Sequence, residues 1–470
     1  MPSSSSSSSQ SSRTQSPSNA SDTETSGRRS LTDDLYEKLV NDEDARACRA
    51  IPDEACREVP GNFIRTLASQ ALTKLGDALV NPKITLPWLM QSVGAPLWML
   101  AWLVPIRESG SMLPQLAIAS WVRTLAVRKW VWVLGSSLQA LAIAGLALLA
   151  FASLGPLAEA GTLVGGLMLG LLVVFSLARG LSSVASKDVL GKTIPKQRRG
   201  SLGGWAESLA GLITLGLALA LMFGPGLQGD AATQLYAVGF AVAAGLWALA
   251  AWVYAGIREF PGETDGGKNG LKEAFGRVSL LWEDAPFRSF LLARGLLLCS
   301  ALTAPFIVVL AQQSLQASLS VLALFMAASG LASLLSGRFW GRFADVSSRR
   351  VMISAGLLAA AVGAVIWAIA LWLPGSLQQL WLLPLMYFVL SVAHQGVRLG
   401  RKTYVVNLGE GNRRTDYVAV GNTLIGILLL LTGTIGVLTP WLGMAGVILV
   451  LSLMGLAGSA MAWRLPEVEG

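Results

Sequence analysis

The stretch that decides the fold is GRFWGRFADVSSRR, residues 337–350. It contains four arginines and one aspartate, and it stands between an apolar run over 321–336 and another that begins at Val351. Apolar runs of about 20 residues are long enough to cross a bilayer as helices. A short charged stretch between two apolar runs predicts a tight connection between two membrane-crossing helices.

The composition of the whole chain predicts the same class of protein. Of its 470 residues, 53% are hydrophobic and only 14% are charged. A soluble domain carries about 25% charged residues and cannot hide this much apolar surface in one core. The sequence therefore predicts an all-α integral membrane protein whose apolar helices cross the bilayer repeatedly.

Apolar length and the polar breaks between runs predict twelve transmembrane helices, which we name spans 1 to 12 in chain order. Their predicted bounds are 62–90, 95–122, 130–153, 161–189, 200–224, 231–256, 286–312, 317–343, 349–372, 378–408, 416–437 and 441–463. The longest polar interruption, 257–288, follows span 6. The chain therefore divides into two groups of six spans.

This division predicts five regions. Residues 1–30 are rich in serine and nearly free of large apolar residues, which predicts a disordered tail. Residues 31–60 mix acidic, basic and apolar side chains, which predicts a cytoplasmic amphipathic segment that either leads into span 1 or docks a partner. We expect six-helix bundles over 61–256 and 286–465, with a cytoplasmic central loop over 257–285.

Basic residues lie in alternate loops. The loops after even-numbered spans carry lysine and arginine, whereas the loops 153–161, 224–232 and 373–379 carry none. The positive-inside rule then predicts that both termini are cytoplasmic, in a plasma membrane such as the bacterial inner membrane. The same distribution accounts for the net charge of +8, and basic residues spread over many short loops do not favour binding to nucleic acid.

An internal repeat supports the division into halves. Residues 177–211 match residues 392–426 at an offset of 215, which aligns Arg179 with His394 and one pair of adjacent arginines with another. Duplicated halves are typical of transporters that bind their solute between the two halves.

The last ten residues of the opening stretch, GRFADVSSRR, resemble the Gly-x-x-x-Asp-x-x-Gly-Arg-Arg loop signature of the major facilitator superfamily. They stand at the matching place, between spans 8 and 9, although Ser348 replaces the second glycine. The resemblance implies that Gly341 lets helices approach closely and that Asp345 latches against the N-terminus of a neighbouring helix. It also implies that Arg349 and Arg350 hold the loop at the cytoplasmic headgroups.

The first-half copy of this signature, between spans 2 and 3, departs from the pattern. Ser120 stands in place of glycine and Thr124 in place of aspartate, while Arg128 and Lys129 keep the basic pair. The usual first-half latch is therefore in doubt, and both loops can be read as basic anchors alone. Over about residues 60–465, the resemblance implies two pseudo-symmetric six-helix bundles, a monomer, and transport by alternating access.

Charged residues within the spans are the candidate functional residues, because an ionisable side chain in hydrocarbon is costly unless it faces a cavity or a partner. Span 1 holds Lys74, Asp77 and Lys83. Lys74 and Asp77 are three residues apart, so they share a helix face and can form a structural pair. The resemblance implies that span 1 lines the central cavity, which makes all three residues candidates for solute binding.

Span 2 holds Arg107 and Glu108 between two prolines. Adjacent residues point about 100° apart on a helix, so we expect one to line the solute path and the other to pair with a neighbouring helix. Glu108 or Asp77 can carry a coupling proton. The alternative is a locked ion pair that only holds span 2 to its neighbour.

The remaining candidates lie in spans 4, 7 and 10. Arg179 suits an anionic substrate or an acidic partner such as Asp77 or Glu108. Arg294 and His394 are the second-half candidates. His394, the single histidine of the chain, is either a proton site or a hydrogen-bonded contact between helices.

Other chemistry finds no support in the sequence. One histidine and three scattered cysteines match no metal site, and no glycine-rich loop ends in Gly-Lys-Ser/Thr. We therefore expect no metal, no cofactor and no enzymatic activity. Two functions stay open: a secondary transporter (permease) for an anionic or zwitterionic metabolite, with or without proton coupling, and a non-transporting membrane scaffold or sensor. The expected partners are membrane lipid, a small solute and protons.

Overall fold

The computed structural model describes residues 57–222, 230–262, 264, 279–315, 319–408 and 412–468. Within this part of the chain every element of regular secondary structure is a helix. The predicted serine-rich tail, nearly all of the predicted amphipathic segment and most of the central loop lie outside the described residues. The described helices follow the predicted spans closely.

The helices of the first half are α1 Val59–Leu79, α2 Thr85–Ser92, α3 Leu97–Leu100, α4 Leu103–Met112, α5 Gln115–Arg123, α6 Lys129–Ala152, α7 Gly161–Thr193, α8 Lys196–Met222 and α9 Asp230–Ala255. Those of the second half are α10 Leu280–Glu283, α11 Ala285–Leu296, α12 Cys299–Ser314, α13 Leu319–Val346, α14 Ser348–Trp372, α15 Leu382–Leu408, α16 Asn412–Gly433 and α17 Thr439–Trp463. Short 3₁₀ helices at Pro374–Gln378 and Thr434–Leu438 follow α14 and α16.

Three of the predicted spans are broken helices. Span 1 divides into α1 and α2 around Pro82, which lacks a backbone N–H and cannot continue a helix. Span 2 divides into α3, α4 and α5, and span 7 divides into α11 and α12. Pro60 lies in the first turn of α1, where proline fits well.

Seven helical segments of the described residues are long and apolar enough to cross a membrane. They cover spans 3, 4, 6, 7, 9 and 10, and the seventh, at 420–463, covers spans 11 and 12 together. Spans 5 and 8 contain shorter apolar helices, and spans 1 and 2 are interrupted. The full count of twelve crossings stays a prediction.

The two halves use the same internal packing. In the first half, α6 of span 3 packs against α7 of span 4 and α9 of span 6. In the second half, α14 of span 9 packs against α15 of span 10 and α17 of span 12. The neighbours correspond after a shift of six spans, which agrees with the internal repeat in the sequence.

The halves are pressed together at one end of the protein. All residues over 85–90 in α2 and over 299–311 in α12 are buried, and these two helices pack against each other. We call this end the sealed face (residues 85–92 and 299–314). The opposite end holds the loops over 123–129, 256–262 and 346–350, and we call it the basic face.

Exposed tryptophans mark both ends of the helical bundle. Trp130 at the start of α6 and Trp463 at the end of α17 lie near the basic face. Trp372 at the end of α14 and Trp441 at the start of α17 lie at the other end. Tryptophan is enriched where a membrane meets water, so the two sets indicate the two interfaces of the bilayer.

Small residues let the helices of each half approach closely. A Cβ atom at Gly135 in α6 would overlap the Ser182 hydroxyl of α7, and a Cβ atom at Gly363 in α14 would overlap the Ser452 hydroxyl of α17. Interfaces between membrane helices rely on such small residues, because close packing rather than the hydrophobic effect holds these helices together.

The Gly363 contact predicts the effect of a single methyl group. Gly363→Ala should destabilise the protein by about 1–3 kcal/mol, because an overpacked helix interface must move apart. Gly239→Ala in α9 is the matched control, since no atom of the described residues lies within 4 Å of a Cβ atom there. Thermal unfolding of the purified protein in detergent should show a lower midpoint for Gly363→Ala only; equal midpoints would contradict the described interface.

Candidate functional site

A cavity of about 440 Å³ lies between the two halves. Residues of α1, α4, α7, α12, α13 and α15 line it, so both halves contribute. Its volume falls in the range of small-molecule sites. A second cavity of about 620 Å³ shares Asp77, Arg179 and Arg398 with the first, and a third of about 260 Å³ shares Glu108 and Arg398 with it. We call these three adjoining compartments the chamber.

The chamber extends toward the basic face. The largest compartment reaches Lys74, one turn before Asp77 in α1, and Lys402 near the end of α15. At the other end, the buried residues of α2 and α12 close the space between the halves. The described conformation is therefore sealed at one face.

Charged side chains of both signs line the chamber, but basic ones predominate. The seven basic residues are Lys74, Lys83, Arg107, Arg179, Arg398, Arg401 and Lys402. The two acidic residues are Asp77 and Glu108. The walls thus carry an excess of positive charge.

Asp77 is the centre of the charged cluster in the first half. Its Oδ1 accepts a hydrogen bond from Arg107 Nη2 at 2.7 Å and from Arg179 Nη1 at 2.6 Å, and its Oδ2 accepts from Arg179 Nη1 at 2.7 Å. The Arg107 guanidinium also lies 4.7 Å from the centre of the Phe175 ring, a cation–π distance. One carboxylate on α1 therefore binds α4 and α7.

Within the chamber, a histidine of the second half forms a hydrogen bond with a lysine of the first half. Lys83 Nζ lies 2.9 Å from His394 Nε2, and His394 Nδ1 lies 3.2 Å from Ser300 Oγ. An ammonium group can only donate, so with Lys83 charged His394 Nε2 must accept, and Nδ1 then carries the proton and donates to Ser300. This chain of hydrogen bonds joins span 1 to spans 7 and 10.

Glu108 lines two compartments and is half-buried. No hydrogen bond or ion pair joins its carboxylate to another of the described residues, although Lys83, Arg107 and Arg401 are close enough to act on its charge. The expectation for span 2 holds in part. Arg107 pairs with a neighbouring helix as predicted, but its long side chain also reaches the chamber, so both adjacent residues line it.

The structure brings most of the predicted site residues together. Asp77, Lys83, Arg107, Glu108, Arg179 and His394 line the central compartment, and Lys74 lines the one beside it. The predicted pairing of Lys74 with Asp77 stays a prediction. The partner suggested for Arg179 is confirmed as Asp77.

Arg294 does not line any of these three compartments, and its role as a site residue stays a prediction. It is 6% exposed and lies between α11 and α16, where its Nη2 donates to Asn422 Oδ1 at 2.9 Å. Its Nε is buried without a hydrogen-bond partner in the described structure. Spacing along the chain could not show that this arginine faces α16 rather than the chamber.

Several residues of α15 and α13 that line the chamber were not among the predicted site residues. Arg398 and Arg401 follow His394 by four and seven residues, which places all three on one face of α15. Ser329 and Ser333 are one turn apart in α13 and line the chamber from the other side. The sequence does contain a pattern that indicates them: polar residues at helical spacing within an otherwise apolar span.

The second-half loop signature forms a different structure from the one expected. α13 continues to Val346 and α14 begins at Ser348, so Ser347 alone links them. Ser347 caps α14, since its Oγ accepts from Arg350 N at 3.1 Å. Among the described residues, nothing lies within 4 Å of a Cβ atom at Gly341, so none of them makes the expected close approach there. The side chain of Asp345 lies outside the described part of the structure.

Arg349 is tied to residues that follow α17, and its expected contact with lipid headgroups stays a prediction. Its Nη2 lies 2.6 Å from Glu467 Oε2, and its Nη1 donates to Leu465 O at 2.9 Å. Ser347 Oγ donates to the same Glu467 carboxylate. Arg350 is exposed, and an interaction with headgroups stays a prediction for that residue too.

A carboxylate from the residues after span 6 takes the corresponding place in the first half. Glu259 Oε2 accepts from the backbone N–H groups of Arg128 at 2.9 Å and Lys129 at 2.6 Å, at the N-terminus of α6. Lys192 Nζ lies 2.9 Å from Glu259 Oε1. The Lys129 ammonium donates to the carbonyl oxygen of Ile257 at 2.7 Å.

The side chains of two further residues in the first-half loop signature form hydrogen bonds with residues other than Glu259. Arg128 Nη1 lies 3.2 Å from Asp188 Oδ2, and the Thr124 hydroxyl donates to Trp121 O. The side chain of Ser120 lies outside the described part of the structure. The missing first-half aspartate is thus matched by Glu259, a residue that no spacing within the loop could have indicated.

The two carboxylates are related by the internal repeat. Glu259 follows the last residue of α9 by four positions, and Glu467 follows the last residue of α17 by four positions. Each contacts the start of the third span of its half. We call Glu259 and Glu467 the latch carboxylates.

The Glu259 latch should contribute strongly to stability. Glu259→Ala removes a fully buried carboxylate and leaves the Lys192 ammonium and two N–H groups without their acceptor. We expect a loss of about 3 kcal/mol and a clearly lower unfolding midpoint. Glu159→Ala, at an exposed position, is the matched control and should leave the midpoint unchanged. A midpoint for Glu259→Ala that equals the wild-type value would refute the latch.

Comparison with known proteins shows the fold. No protein-family model matches the sequence, and no curated protein matches it by sequence. Among solved structures, a D-xylose–proton symporter has a TM-score of 0.65 at 15% identity and covers 87% of this chain and 98% of its own. A POT family transporter in complex with 5-aminolevulinic acid has a TM-score of 0.65 at 11% identity, covering 85% and 94%. An inward-open xylose transporter from E. coli has a TM-score of 0.59 at 13% identity, covering 87% and 96%.

The chain therefore has the fold of the major facilitator superfamily transporters, as the loop signature predicted. Its apolar helices and this fold make it an integral membrane protein. All three similar structures are transporters.

Proposed function

We propose that this protein is a secondary active transporter, a permease that moves a small solute across the membrane by alternating access. The observation that carries the proposal is the charged chamber between the two halves, closed at the sealed face and extending toward the basic face. A solute site between duplicated halves is what alternating access requires. A scaffold or sensor has no need to bear the cost of these charges.

The basic face is proposed to be cytoplasmic, because loops rich in lysine and arginine stay on that side of a plasma membrane. Both termini are then cytoplasmic, and the bacterial inner membrane suits this arrangement. In this orientation the described conformation faces inward. The domain division follows the two helical bundles, 61–256 and 286–465, and the protein is proposed to act as a monomer.

The solute is proposed to be an anionic or zwitterionic metabolite. Seven basic side chains and two carboxylates line the chamber, so an anion entering it meets an excess of positive charge. Lys74, Lys83 and Arg179 are proposed to contribute directly to this attraction. Asp77 is proposed to hold Arg107 and Arg179 in position.

Proton coupling is proposed to involve Glu108 and His394. Asp77 already accepts hydrogen bonds from two guanidinium groups, which favours its charged form and makes it a poor proton carrier. Glu108 has no such partner among the described residues. A proton on His394 would place two cations 2.9 Å apart and break its hydrogen bond with Lys83. Loss of this contact between the halves would favour a change of conformation.

The first test is binding and uptake with the Asp77→Asn variant. Purified protein is screened by thermal shift with organic anions, amino acids, sugars and cationic drugs, and uptake of the stabilising solute is measured in proteoliposomes. Asp77→Asn should lower uptake about ten-fold or more, because two adjacent guanidinium groups lose their shared negative charge.

Asp230→Asn, an acid-to-amide change at the exposed start of α9, should transport normally. Size-exclusion profiles establish that both variants are folded. Full uptake by Asp77→Asn would remove the cluster from the mechanism. A solute that binds but is never taken up by the wild-type protein would favour the sensor alternative.

The second test separates coupling from binding. Glu108→Gln and His394→Gln should lose uptake driven by an imposed pH gradient but keep solute exchange between the two sides of the vesicle, since exchange needs no net proton movement. Glu283→Gln, at an exposed position, is the control and should keep both activities. Gradient-driven uptake that survives in both variants would exclude these residues as the coupling groups.

A further inference from the structure

Arg398 differs from Arg107 and Arg179 in the chamber wall. Arg107 and Arg179 both donate to Asp77, whereas no hydrogen bond or ion pair joins the exposed Arg398 guanidinium to another of the described residues. Arg398 also lines all three compartments, so it lies where they meet. A guanidinium group in this position offers its full set of donors to a ligand.

The acidic residues of the chamber are not equally available to bind a positively charged group of a ligand. Asp77 is occupied by two arginines. Glu108 lies within the electrostatic reach of Lys83, Arg107 and Arg401, which together more than balance its charge. Glu108 is the one acidic residue of the chamber without an ion pair among the described residues, and the nearby cations outnumber it, so the walls favour a net anion over a zwitterion. An anion complements this site better than an amino acid does.

Hydroxyl and amide groups cover much of the remaining wall. Tyr387, Ser391 and Gln395 succeed one another by four residues on the chamber face of α15, with Arg398 one turn further on. Ser333 in α13 faces the same space. Such groups both donate and accept hydrogen bonds, as do the hydroxyl groups of a polyol. Tyr387 and Ser391 already hydrogen-bond to each other, so Ser333 and Gln395 are the groups left for a ligand. A ligand without hydroxyl groups would leave these two unpaired, and sites of this kind reject such ligands strongly.

We propose that the solute is a hydroxylated organic anion, that is, a polyol or sugar that carries a carboxylate or a phosphate. Arg398 binds the acidic group, because the guanidinium fork matches both carboxylate and phosphate. Ser333 and Gln395 bind the hydroxyl groups from the two sides of the chamber. The central compartment of about 440 Å³ accommodates a molecule of this size. This inference rests on the proposed function and specifies its substrate class.

Binding to the purified full-length protein tests the inference. Isothermal titration is carried out with gluconate, glucose 6-phosphate, glucose, succinate and glutamate. Gluconate or glucose 6-phosphate should bind at least about ten-fold more tightly than the other three, and the comparison between them shows whether carboxylate or phosphate is preferred. Equal or tighter binding of glucose, succinate or glutamate would overturn the inference, as would no binding by either hydroxylated anion.

Variants test the assignment to Arg398. Arg398→Gln should weaken binding of the hydroxylated anion by about ten-fold or more, and Arg398→Lys should retain part of the affinity, because lysine keeps the charge but not the fork. Arg342→Gln, at an exposed position of α13 outside the three compartments, should bind as the wild type does. Unchanged affinity in Arg398→Gln would overturn the assignment; if that variant does not fold, unchanged affinity in Arg398→Lys would do so.

Uptake into proteoliposomes separates this inference from the proposed function. Tight binding of gluconate or glucose 6-phosphate without uptake or exchange would refute transport and support the recognition chemistry. Uptake of a solute from another class would support transport and refute the inference.

Discussion

The carboxylate of Asp77 is the interaction on which the charged centre of the protein depends. It joins α1, α4 and α7 by accepting from Arg107 and Arg179 at 2.6–2.7 Å. Arg107 is almost fully buried, and a buried guanidinium without an anion would be costly. With one carboxylate between two guanidinium groups, the cluster is stable but keeps a positive charge. The carboxylate offsets the repulsion between the two arginines, and the remaining positive charge attracts anions to the chamber.

The two halves are held together differently at the two faces. At the sealed face, α2 and α12 pack through buried, mostly apolar side chains. In the middle, the contact between Lys83 and His394 is a single hydrogen bond that protonation can remove. At the basic face, the latch carboxylates act within each half, and they hold the start of the third span to the residues after the sixth. Each half can therefore move as a rigid unit while the contacts between halves change.

The chamber combines features of charge and of hydrogen bonding that point to the same chemistry. Basic residues outnumber acidic ones, and Asp77 is already bound by two arginines. Hydroxyl and amide groups of α13 and α15 line the chamber beside these charged residues. Neither feature alone would separate an organic acid from a sugar. Together they favour a solute that has both an acidic group and hydroxyl groups. Only such a solute can pair with the basic side chains and also hydrogen-bond with the hydroxyl and amide groups.

The sequence by itself determined the class of fold, the placement of the helices and most of the charged residues of the chamber. These follow from apolar length and from the cost of charge in hydrocarbon, both of which act locally along the chain. Only the tertiary structure decided partners. Lys83 and His394 are 311 residues apart, Glu259 reaches Arg128 across 131 residues, and Arg294 turns to Asn422 instead of the chamber. Such contacts depend on how whole helices cross and rotate, and that geometry is fixed by packing across the entire bundle, which no local pattern records.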